Sequence, residues 1–191
     1  MSHFTPVALE HASRLLNHGP TVLVTSHDGT HRNVMAAAWS MPVEFTPPRL
    51  AVVIDKQTYT RELIARQGTF GIVVPGAAAL DLTYALGSTS GREGDKFERY
   101  GIESRPGPVL GVPVIEAGCV AWLECRLIPE AHTEQAYDTC FCEVVSAAAD
   151  TRAFSNGHWT LDDTNTPLHT IHHLGAGQFV RASGLIAAKP L

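Results

Sequence analysis

Short apolar runs of strand length, separated by turn residues, set the pattern of hydrophobic positions along this chain. The runs are rich in β-branched residues, a composition that favours strands. Asp28-Gly29 lies between the first two runs and is typical of a hairpin turn. Shorter strands are expected near Trp159 and Phe179. The pattern predicts six main strands, at residues 21–26, 33–39, 50–54, 69–74, 119–128 and 140–147.

Helical segments are short and lie between or before these strands. They are predicted at residues 7–17, 58–66, 77–86 and 92–100, each followed within two residues by a glycine. Residues 106–118 are rich in Pro and Gly and predict a loop, and residues 129–137 predict a connection between the two longest strands. Because strands and helices do not alternate regularly, a doubly wound sheet is disfavoured, and an antiparallel barrel with a few helices fits best.

Residues 33–54 depart from an ordinary strand pattern. Ala36-Ala37-Ala38 lies between Met35 and Trp39, and turns are expected at Pro42 and at Pro47-Pro48. A run of three alanines followed closely by prolines is too short to form a helix. Small side chains instead indicate that a flat group lies against this backbone, as a planar cofactor would.

Composition limits the class of protein. The 191 residues are 45% apolar and 17% charged, which predicts one globular domain over residues 1–191. The net charge of −5 argues against nucleic acid as a partner. No apolar run is long enough to span a bilayer, and residues 1–16 carry charged residues where a secretory signal needs an apolar core. A cytoplasmic protein without membrane contact is expected.

The cysteines and a histidine cluster are possible metal ligands. Cys119, Cys125, Cys140 and Cys142 lie in predicted strands without a CxxC spacing, so buried thiols are favoured over disulfides or a metal site. The cluster at residues 169–173 contains three histidines, but no carboxylate or cysteine adjoins it. A surface or interface cluster is therefore the preferred interpretation, and no metal ligand is predicted.

Trp39 and Trp122 are each predicted to belong to the core rather than to a site. Trp122 shares a strand face with Glu124 and Arg126, so that face is a possible rim or subunit contact.

Two polar segments have the composition of an anion site. Residues 55–60 join a strand to a helix, and hydroxyls with free backbone N–H groups at a helix N-terminus bind anions; the alternative is an ordinary N-cap. Residues 87–97 place three hydroxyls between glycines, followed by Arg92 and Lys96, which are four apart and are expected to share a helix face. This segment suits a phosphate, and the alternative is a solvated loop.

Several well-known catalytic and nucleotide motifs are absent from the sequence. It contains no GxGxxG after a strand, no GxxxxGK[ST], no HExxH and no GxSxG. A nucleotide cofactor would therefore not be held in the manner of a Rossmann fold.

Taken in order, these segments resemble the flavin reductase-like proteins, a family that includes flavoredoxins and the reductase components of two-component monooxygenases. The resemblance covers residues 21–179 and includes the stretches TVLVTS, NVMAAAWS and LHTIHHLGAGQF. The matching segments are residues 21–26, 33–40, 47–50, 59–64, 91–97, 121–125, 143–145 and 168–179.

The resemblance implies a mainly β protein with short helices, built as a six-stranded antiparallel FMN-binding split β-barrel. It also implies a homodimer with FMN at or near the dimer interface. The expected ring contacts come from the strand at residues 33–39, the phosphate contacts from the two polar segments, and a further contact from the C-terminal region. By matched position, the implied FMN-binding residues are Asn33, Met35, Ala36, Ala37, Ala38, Trp39, Thr58, Thr60, Ser88, Ser90, Lys96 and His173.

The implied activity is passage of electrons from NAD(P)H through FMN to a flavin, metal or protein acceptor. Hydride transfer needs no protein acid or base, so no catalytic residue is predicted. The alternatives are an electron carrier that does not oxidise NAD(P)H, or a barrel that binds another ligand without catalysis. The chain departs from the family at Ala36 and Ala38, where members often carry hydroxyls, and at Cys142, where many have glycine.

Overall fold

The computed structural model describes residues 2–189, and strands predominate in it. The α-helices are α1 (Leu9–Ala12), α2 (Tyr59–Gln67), α3 (Leu80–Ser88), α4 (Lys96–Arg99) and α5 (Ala131–Tyr137). The strands are β1 (Phe4–Pro6), β2 (Val22–His27), β3 (Arg32–Ala37), β4 (Ser40–Phe45), β5 (Pro48–Val53), β6 (Thr69–Pro75), β7 (Arg105–Pro106), β8 (Pro113–Val114), β9 (Cys119–Ile128), β10 (Thr139–Asp150), β11 (Phe154–Ser155), β12 (His158–Trp159), β13 (Ile171–Gly175) and β14 (Gln178–Arg181).

One eight-stranded antiparallel sheet forms the body of the molecule. Its order is β3-β2-β6-β9-β10-β5-β4, and β1 also pairs with β10. The six strands predicted from apolar runs are all present, so the prediction of a mainly β fold with short helices is confirmed. The two further strands are β1 and β4. Their sequences contain prolines, at Pro6 and Pro42, and therefore lack the uninterrupted apolar pattern of the others.

Side chains of the central strands alternate between two cores. In β2, Val22 and Val24 join one cluster, whereas Leu23 joins the other. The second cluster is covered by Leu86 of α3 and Phe97 of α4. Strands that are buried on both faces read as continuous apolar runs, which is why they were recognisable in the sequence.

The structure shortens or interrupts several predicted elements. The predicted helix at residues 7–17 is α1 followed by a 3₁₀ turn over Ser13–Leu15. The predicted helix at residues 92–100 is a 3₁₀ turn over Gly91–Glu93 and then α4, separated at Gly94, which has φ 139°. The predicted 129–137 connection contains α5.

The sharp turns of residues 33–54 also differ from expectation. Pro42 lies inside β4 rather than at a turn, whereas the turn at Pro47-Pro48 is present between β4 and β5. Trp39 was predicted to be a core residue, but 74% of it is exposed. The bend after β3 turns the Trp39 side chain away from both cores.

The strand face of Trp122 and Glu124 is not a rim. Both residues are buried, because the 106–118 loop folds over them, while Arg126 is exposed. The Glu124 carboxylate accepts hydrogen bonds from the backbone N–H groups of Val109, Leu110 and Gly111, at 2.9, 2.7 and 3.1 Å. A buried carboxylate with these partners fixes the loop on the sheet.

The four cysteines are buried and form no disulfide, as predicted. Of the histidine cluster, His169 is buried and not a surface residue. Its Nε2 lies 2.9 Å from both the Asp162 carbonyl oxygen and Asn165 Oδ1. Among residues 2–189, no helix has the length and apolar character required to cross a bilayer.

Candidate functional site

A cavity of about 320 Å³ lies between β3, the start of α2 and the connection from α3 to α4. We call it the polar cavity because hydroxyls and a lysine contribute to its walls. It is lined by Asn33, Met35, Ala36, Asp55, Gln57, Thr58, Tyr59, Thr60, Leu86, Gly87, Ser88, Thr89, Ser90, Gly91 and Lys96. The two segments that the sequence singled out for an anion, residues 55–60 and 87–97, therefore meet in space.

Helix α2 contributes its first turn to the polar cavity. Thr58 is the N-cap: its Oγ1 accepts a hydrogen bond from the Arg61 N–H at 3.2 Å and donates to the Asp55 carbonyl oxygen at 2.8 Å. Thr60 is fully buried, and its Oγ1 accepts from Asn33 Nδ2 at 2.8 Å. The Thr58 hydroxyl is thus committed to capping, whereas the Thr60 hydroxyl retains its proton for another acceptor.

Lys96 provides a buried cation at the polar cavity. Its Nζ donates to the carbonyl oxygens of Val34 and Leu86, both at 2.9 Å. Burial lowers the pKa of Lys96 to about 8, and the Glu93 carboxylate partly opposes that change. An ammonium group has three N–H donors, so one remains for an anion in the cavity. Arg92 does not share a helix face with Lys96, because the chain is interrupted at Gly94.

The serines of the polar cavity also have partners within the chain. Ser88 Oγ donates to the Tyr84 carbonyl oxygen at 2.8 Å, and Ser90 Oγ accepts from the Arg92 N–H at 3.2 Å. The Ser90 hydroxyl therefore keeps its proton available. Together with Thr60 and Lys96, it gives the cavity three donors suited to a negatively charged group.

A second cavity, of about 220 Å³, adjoins the first. We call it the alanine cavity, after the three alanines at the end of β3. Ala36, Gly87 and Ser88 line both cavities, and a Cβ atom on Gly87 would lie only 3.3 Å from that of Ala36. The alanine cavity is lined by Thr21, Ala36, Ala37, Ala38, Thr83, Tyr84, Gly87, Ser88, His173 and Phe179.

The hairpin of β13 and β14 brings His173 and Phe179 to the alanine cavity. These residues are paired across the hairpin, with ring centroids 4.9 Å apart. The backbone N–H of His173 donates to Thr21 Oγ1 at 2.8 Å, which ties the hairpin to the main sheet. The pairing of β13 with β14 and the bond to Thr21 therefore place the His173 imidazole at the alanine cavity.

A partly buried histidine, His18, supports the base of this hairpin. His18 Nε2 lies 2.9 Å from Thr170 Oγ1, and its ring centroid is 5.6 Å from that of His172. His172 Nδ1 in turn lies 2.9 Å from the Gly19 carbonyl oxygen. Burial, with a smaller contribution from His172, lowers the pKa of His18 to about 4. His18 is therefore neutral at physiological pH.

Two buried polar atoms beside the cavities have no hydrogen-bond partner within residues 2–189. They are Asn33 Oδ1, next to the polar cavity, and Thr83 Oγ1, next to the alanine cavity. Asn33 and Thr83 are 2% and 0% exposed. Leaving such groups unpaired costs about 1–3 kcal/mol each, so a ligand that pairs with them gains affinity.

Eleven of the twelve residues named from the sequence line one of the two cavities. The exception is Trp39, which lines neither cavity. Sequence reasoning missed several wall residues, of which Thr83 and Tyr84 had a readable signal. Tyr84 is four residues before Ser88, a named residue, and Thr83 is four before Gly87, the first residue of the polar segment 87–97, so both share faces of α3 with that segment. Among residues 2–189, no three His, Cys, Asp or Glu residues gather as metal ligands do.

Comparison with known proteins places this geometry in a family. The flavin reductase-like domain family matches residues 14–169. The uncharacterized protein YddH of Escherichia coli (strain K12) is 59% identical over 190 residues, covering 98% of this chain and 100% of that protein. The solved FMN-binding domain of a flavin reductase-like enzyme from Shewanella baltica is 42% identical, with a TM-score of 0.94 over 98% of each chain.

The split-barrel fold extends to more distant proteins. The flavoredoxin of Desulfovibrio vulgaris (Miyazaki F) has a TM-score of 0.76 at 24% identity, covering 89% of this chain and 90% of its own. At that identity the likeness concerns the fold alone. With its sheet, its paired cavities and its match over residues 14–169, this chain belongs to the flavin reductase-like domain family.

Proposed function

We propose that the protein binds FMN across the polar and alanine cavities and uses it to pass electrons from NAD(P)H to a flavin, metal or protein acceptor. The observation that carries this proposal is the junction of the cavities at Ala36, Gly87 and Ser88. A donor-rich space next to a smaller space with three alanines on one wall matches a molecule with a phosphate at one end and a flat ring at the other.

At the phosphate end, three donors remain available after the contacts within the chain are counted. They come from Thr60, Ser90 and Lys96. The start of α2 adds backbone N–H groups and the positive end of the helix dipole. Thr58 then acts through the backbone turn that it caps, and not through its hydroxyl.

At the ring end, Ala36, Ala37 and Ala38 permit close approach of a planar group to the strand. Their side chains offer no hydrogen bonds, so polar atoms of the ring pair with backbone groups and with Thr83, whose buried hydroxyl has no partner within residues 2–189. His173 and Phe179 bound the same space from the opposite hairpin. These residues orient the ring and restrict which molecules reach it.

FMN, when bound, supplies the redox chemistry by accepting a hydride and releasing its electrons in one or two steps. The protein's residues then need only hold the phosphate, orient the ring and admit the nicotinamide, so no side-chain acid or base is assigned.

The test is an absorbance spectrum of the purified protein, recorded anaerobically before and after NADH is added. We expect flavin absorbance, supplied by titration with FMN if the purified protein lacks it, and bleaching on addition of NADH. A protein that stays colourless and shows no binding in an FMN titration would contradict the proposal.

The same assay separates the alternatives. Sustained NADH consumption with excess FMN supports the reductase. Bound FMN that NADH leaves oxidised, but that a protein partner reduces, indicates an electron carrier instead. Absence of flavin binding together with a folded protein leaves a barrel for another ligand.

The proposal includes a homodimer formed through β4. Met41, Val43 and Phe45 follow every second position of this edge strand and are 58%, 44% and 71% exposed, next to exposed Trp39. An exposed apolar edge strand invites pairing with another chain. A Met41→Glu/Phe45→Glu variant should elute as a monomer where the parent elutes as a dimer, and a monomeric parent would contradict the proposed homodimer.

The proposed location is the cytoplasm, where four free buried thiols stay reduced.

A further inference from the structure

A third and larger cavity, which we call the arginine cleft, lies beside the polar cavity and has no part in the FMN site proposed above. Its volume is about 640 Å³, within the range of small-molecule sites. The hairpin between β2 and β3 forms one wall and the segment before α4 forms another. It is lined by His27, Gly29, Thr30, His31, Arg32, Tyr59, Gly91, Arg92, Gly94 and Asp95.

The arginine cleft is continuous with the phosphate end of the flavin site. Tyr59 and Gly91 line both the arginine cleft and the polar cavity, whereas no wall residue of the alanine cavity reaches the cleft. A group placed in the cleft therefore adjoins the phosphate of a bound flavin and lies away from its ring.

Two guanidinium groups in the cleft are held in fixed positions. Arg32 lies over the Phe97 ring, 4.6 Å from its centroid, and its Nε donates to Asp95 Oδ2 at 2.8 Å. Arg92 lies over the Tyr59 ring at 5.4 Å, and its Nη1 donates to Glu62 Oε2 at 2.8 Å. A fixed guanidinium presents its remaining N–H groups to phosphate oxygens and its flat face to a base.

The remaining wall groups agree with an anionic, nitrogen-rich ligand. The lining carries two arginines and one carboxylate, that of Asp95, so its formal charge is positive with both histidines neutral. His27 Nε2 is buried at this wall and has no partner within residues 2–189. The imidazole nitrogen can donate to or accept from a hydroxyl or base edge.

We infer that the arginine cleft binds the adenylate group of a dinucleotide, joined through a pyrophosphate to the part of the molecule in the flavin site. This inference rests on the proposed function. Two dinucleotides carry that group: FAD, in which AMP is attached to the phosphate of FMN, and NAD(P)H. The position of the cleft at the phosphate end favours FAD, since its adenylate must leave the flavin site there.

The test compares ligand affinities by calorimetry for the parent, Arg32→Met and Arg99→Met. The control is matched, because Arg99 also lies over a ring, that of Tyr100 at 5.6 Å, and pairs with Glu93, but it lies outside the cleft. His31→Ala provides a second cleft variant that leaves the Phe97 contact intact, should Arg32→Met fail to fold.

If the adenylate in the cleft belongs to FAD, the parent should bind FAD at least tenfold more tightly than FMN. Arg32→Met should remove most of that difference, while affinity for FMN changes less than threefold and Arg99→Met behaves as the parent. If the adenylate belongs to NAD(P)H, the parent should bind FAD no more tightly than FMN. Arg32→Met should then weaken NADH binding to the FMN-loaded protein at least fivefold, without affecting reduced nicotinamide mononucleotide.

Binding of ADP alone is a measurement that does not depend on flavin binding. ADP should bind the parent, and its affinity for Arg32→Met and for His31→Ala should be at least fivefold lower. Equal affinities for FAD and FMN, unchanged NADH binding and no effect of the variants on ADP would overturn the adenylate site. If the parent does not bind FMN but binds ADP, and the cleft variants weaken ADP binding, the proposed function is overturned and the cleft remains an adenylate site.

Discussion

The polar cavity and the alanine cavity share a wall, yet their residues are employed differently. In the polar cavity, Thr58, Thr60 and Lys96 also hold backbone or side-chain groups of the protein itself. In the alanine cavity, the side chains of Ala36 to Ala38 make no hydrogen bonds; Ala37 belongs to the core, whereas Ala38 is exposed. Substitutions in the polar cavity should therefore change stability and ligand binding together, whereas a substitution at the exposed Ala38 should change binding alone.

Among the substitutions, the largest effect is expected for Lys96→Met, which keeps the side-chain length and removes the charge. The carbonyl oxygens of Val34 and Leu86 lose their donor, and relief of the buried charge offsets part of that cost. We expect the free energy of unfolding to fall by about 2 kcal/mol and FMN to bind at least tenfold more weakly. Urea denaturation and FMN titration measure the two effects. Weaker binding at unchanged stability would show that Lys96 has no structural role.

Acid should act on the alanine cavity through His18. The unfolded chain protonates this ring near its ordinary pKa of 6.5 and the folded chain only near pH 4. Stability is therefore complete above pH 6.5 and falls by up to about 3 kcal/mol as the pH drops from 6.5 to 4. Because His18 supports the hairpin that carries His173 and Phe179, ring-end contacts should weaken over the same range.

His18→Gln, which keeps a hydrogen-bonding group for Thr170, isolates that contribution. The difference in unfolding free energy between parent and variant should shrink as the pH falls from 6.5 to 4. A difference that stays constant would mean that the folded His18 titrates as it does in the unfolded chain.

A smaller loss is expected for Thr60→Val, a change of similar shape. It leaves the buried Asn33 amide without its acceptor and should reduce stability by about 1–2 kcal/mol, with FMN binding several-fold weaker. Ser90→Ala is the matched control, because Ser90 is exposed and its loss should cost less than about 0.5 kcal/mol. Equal effects in the two variants would remove the distinction between buried and exposed hydroxyls in the polar cavity.

The smallest change in stability belongs to the alanine cavity. Ala38 is exposed, so Ala38→Leu should fill space beside the strand with a stability change within about 0.5 kcal/mol and weaken FMN binding about tenfold. Ala38→Ser, which adds a hydroxyl beside the proposed ring position, should retain or improve binding. If Ala38→Leu binds FMN normally, the ring does not occupy this cavity.

Sequence reasoning succeeded where the residues of a short segment alone determine its structure. The apolar runs of β2, β6 and β9 are strands because both of their faces are buried. Residues 55–60 contain an N-cap, Thr58, because a hydroxyl there follows a strand and precedes a helix. The partners of Lys96 were not predictable: its Nζ reaches carbonyl oxygens at Val34 and Leu86, whose proximity depends on tertiary packing.

Each error has an identifiable cause. β4 was missed because Pro42 signals a turn, although an edge strand tolerates a proline. Trp39 was placed in the core on residue type alone, and His169 on the surface because no carboxylate or cysteine adjoins it in sequence, yet their exposures are 74% and 1%. The arginine cleft escaped notice because its walls come from a hairpin and a loop about 60 residues apart.

The exposure of Trp39 has a practical consequence for spectroscopy. Of the three tryptophans, Trp122 is 3% exposed and Trp159 is partly buried, whereas Trp39 projects from the end of β3 beside β4. Iodide in solution should quench the emission of Trp39 first, and anything that covers the β4 edge should protect it. The chain therefore carries an optical reporter at the one edge where we propose that two copies meet, and no label is needed to follow their association.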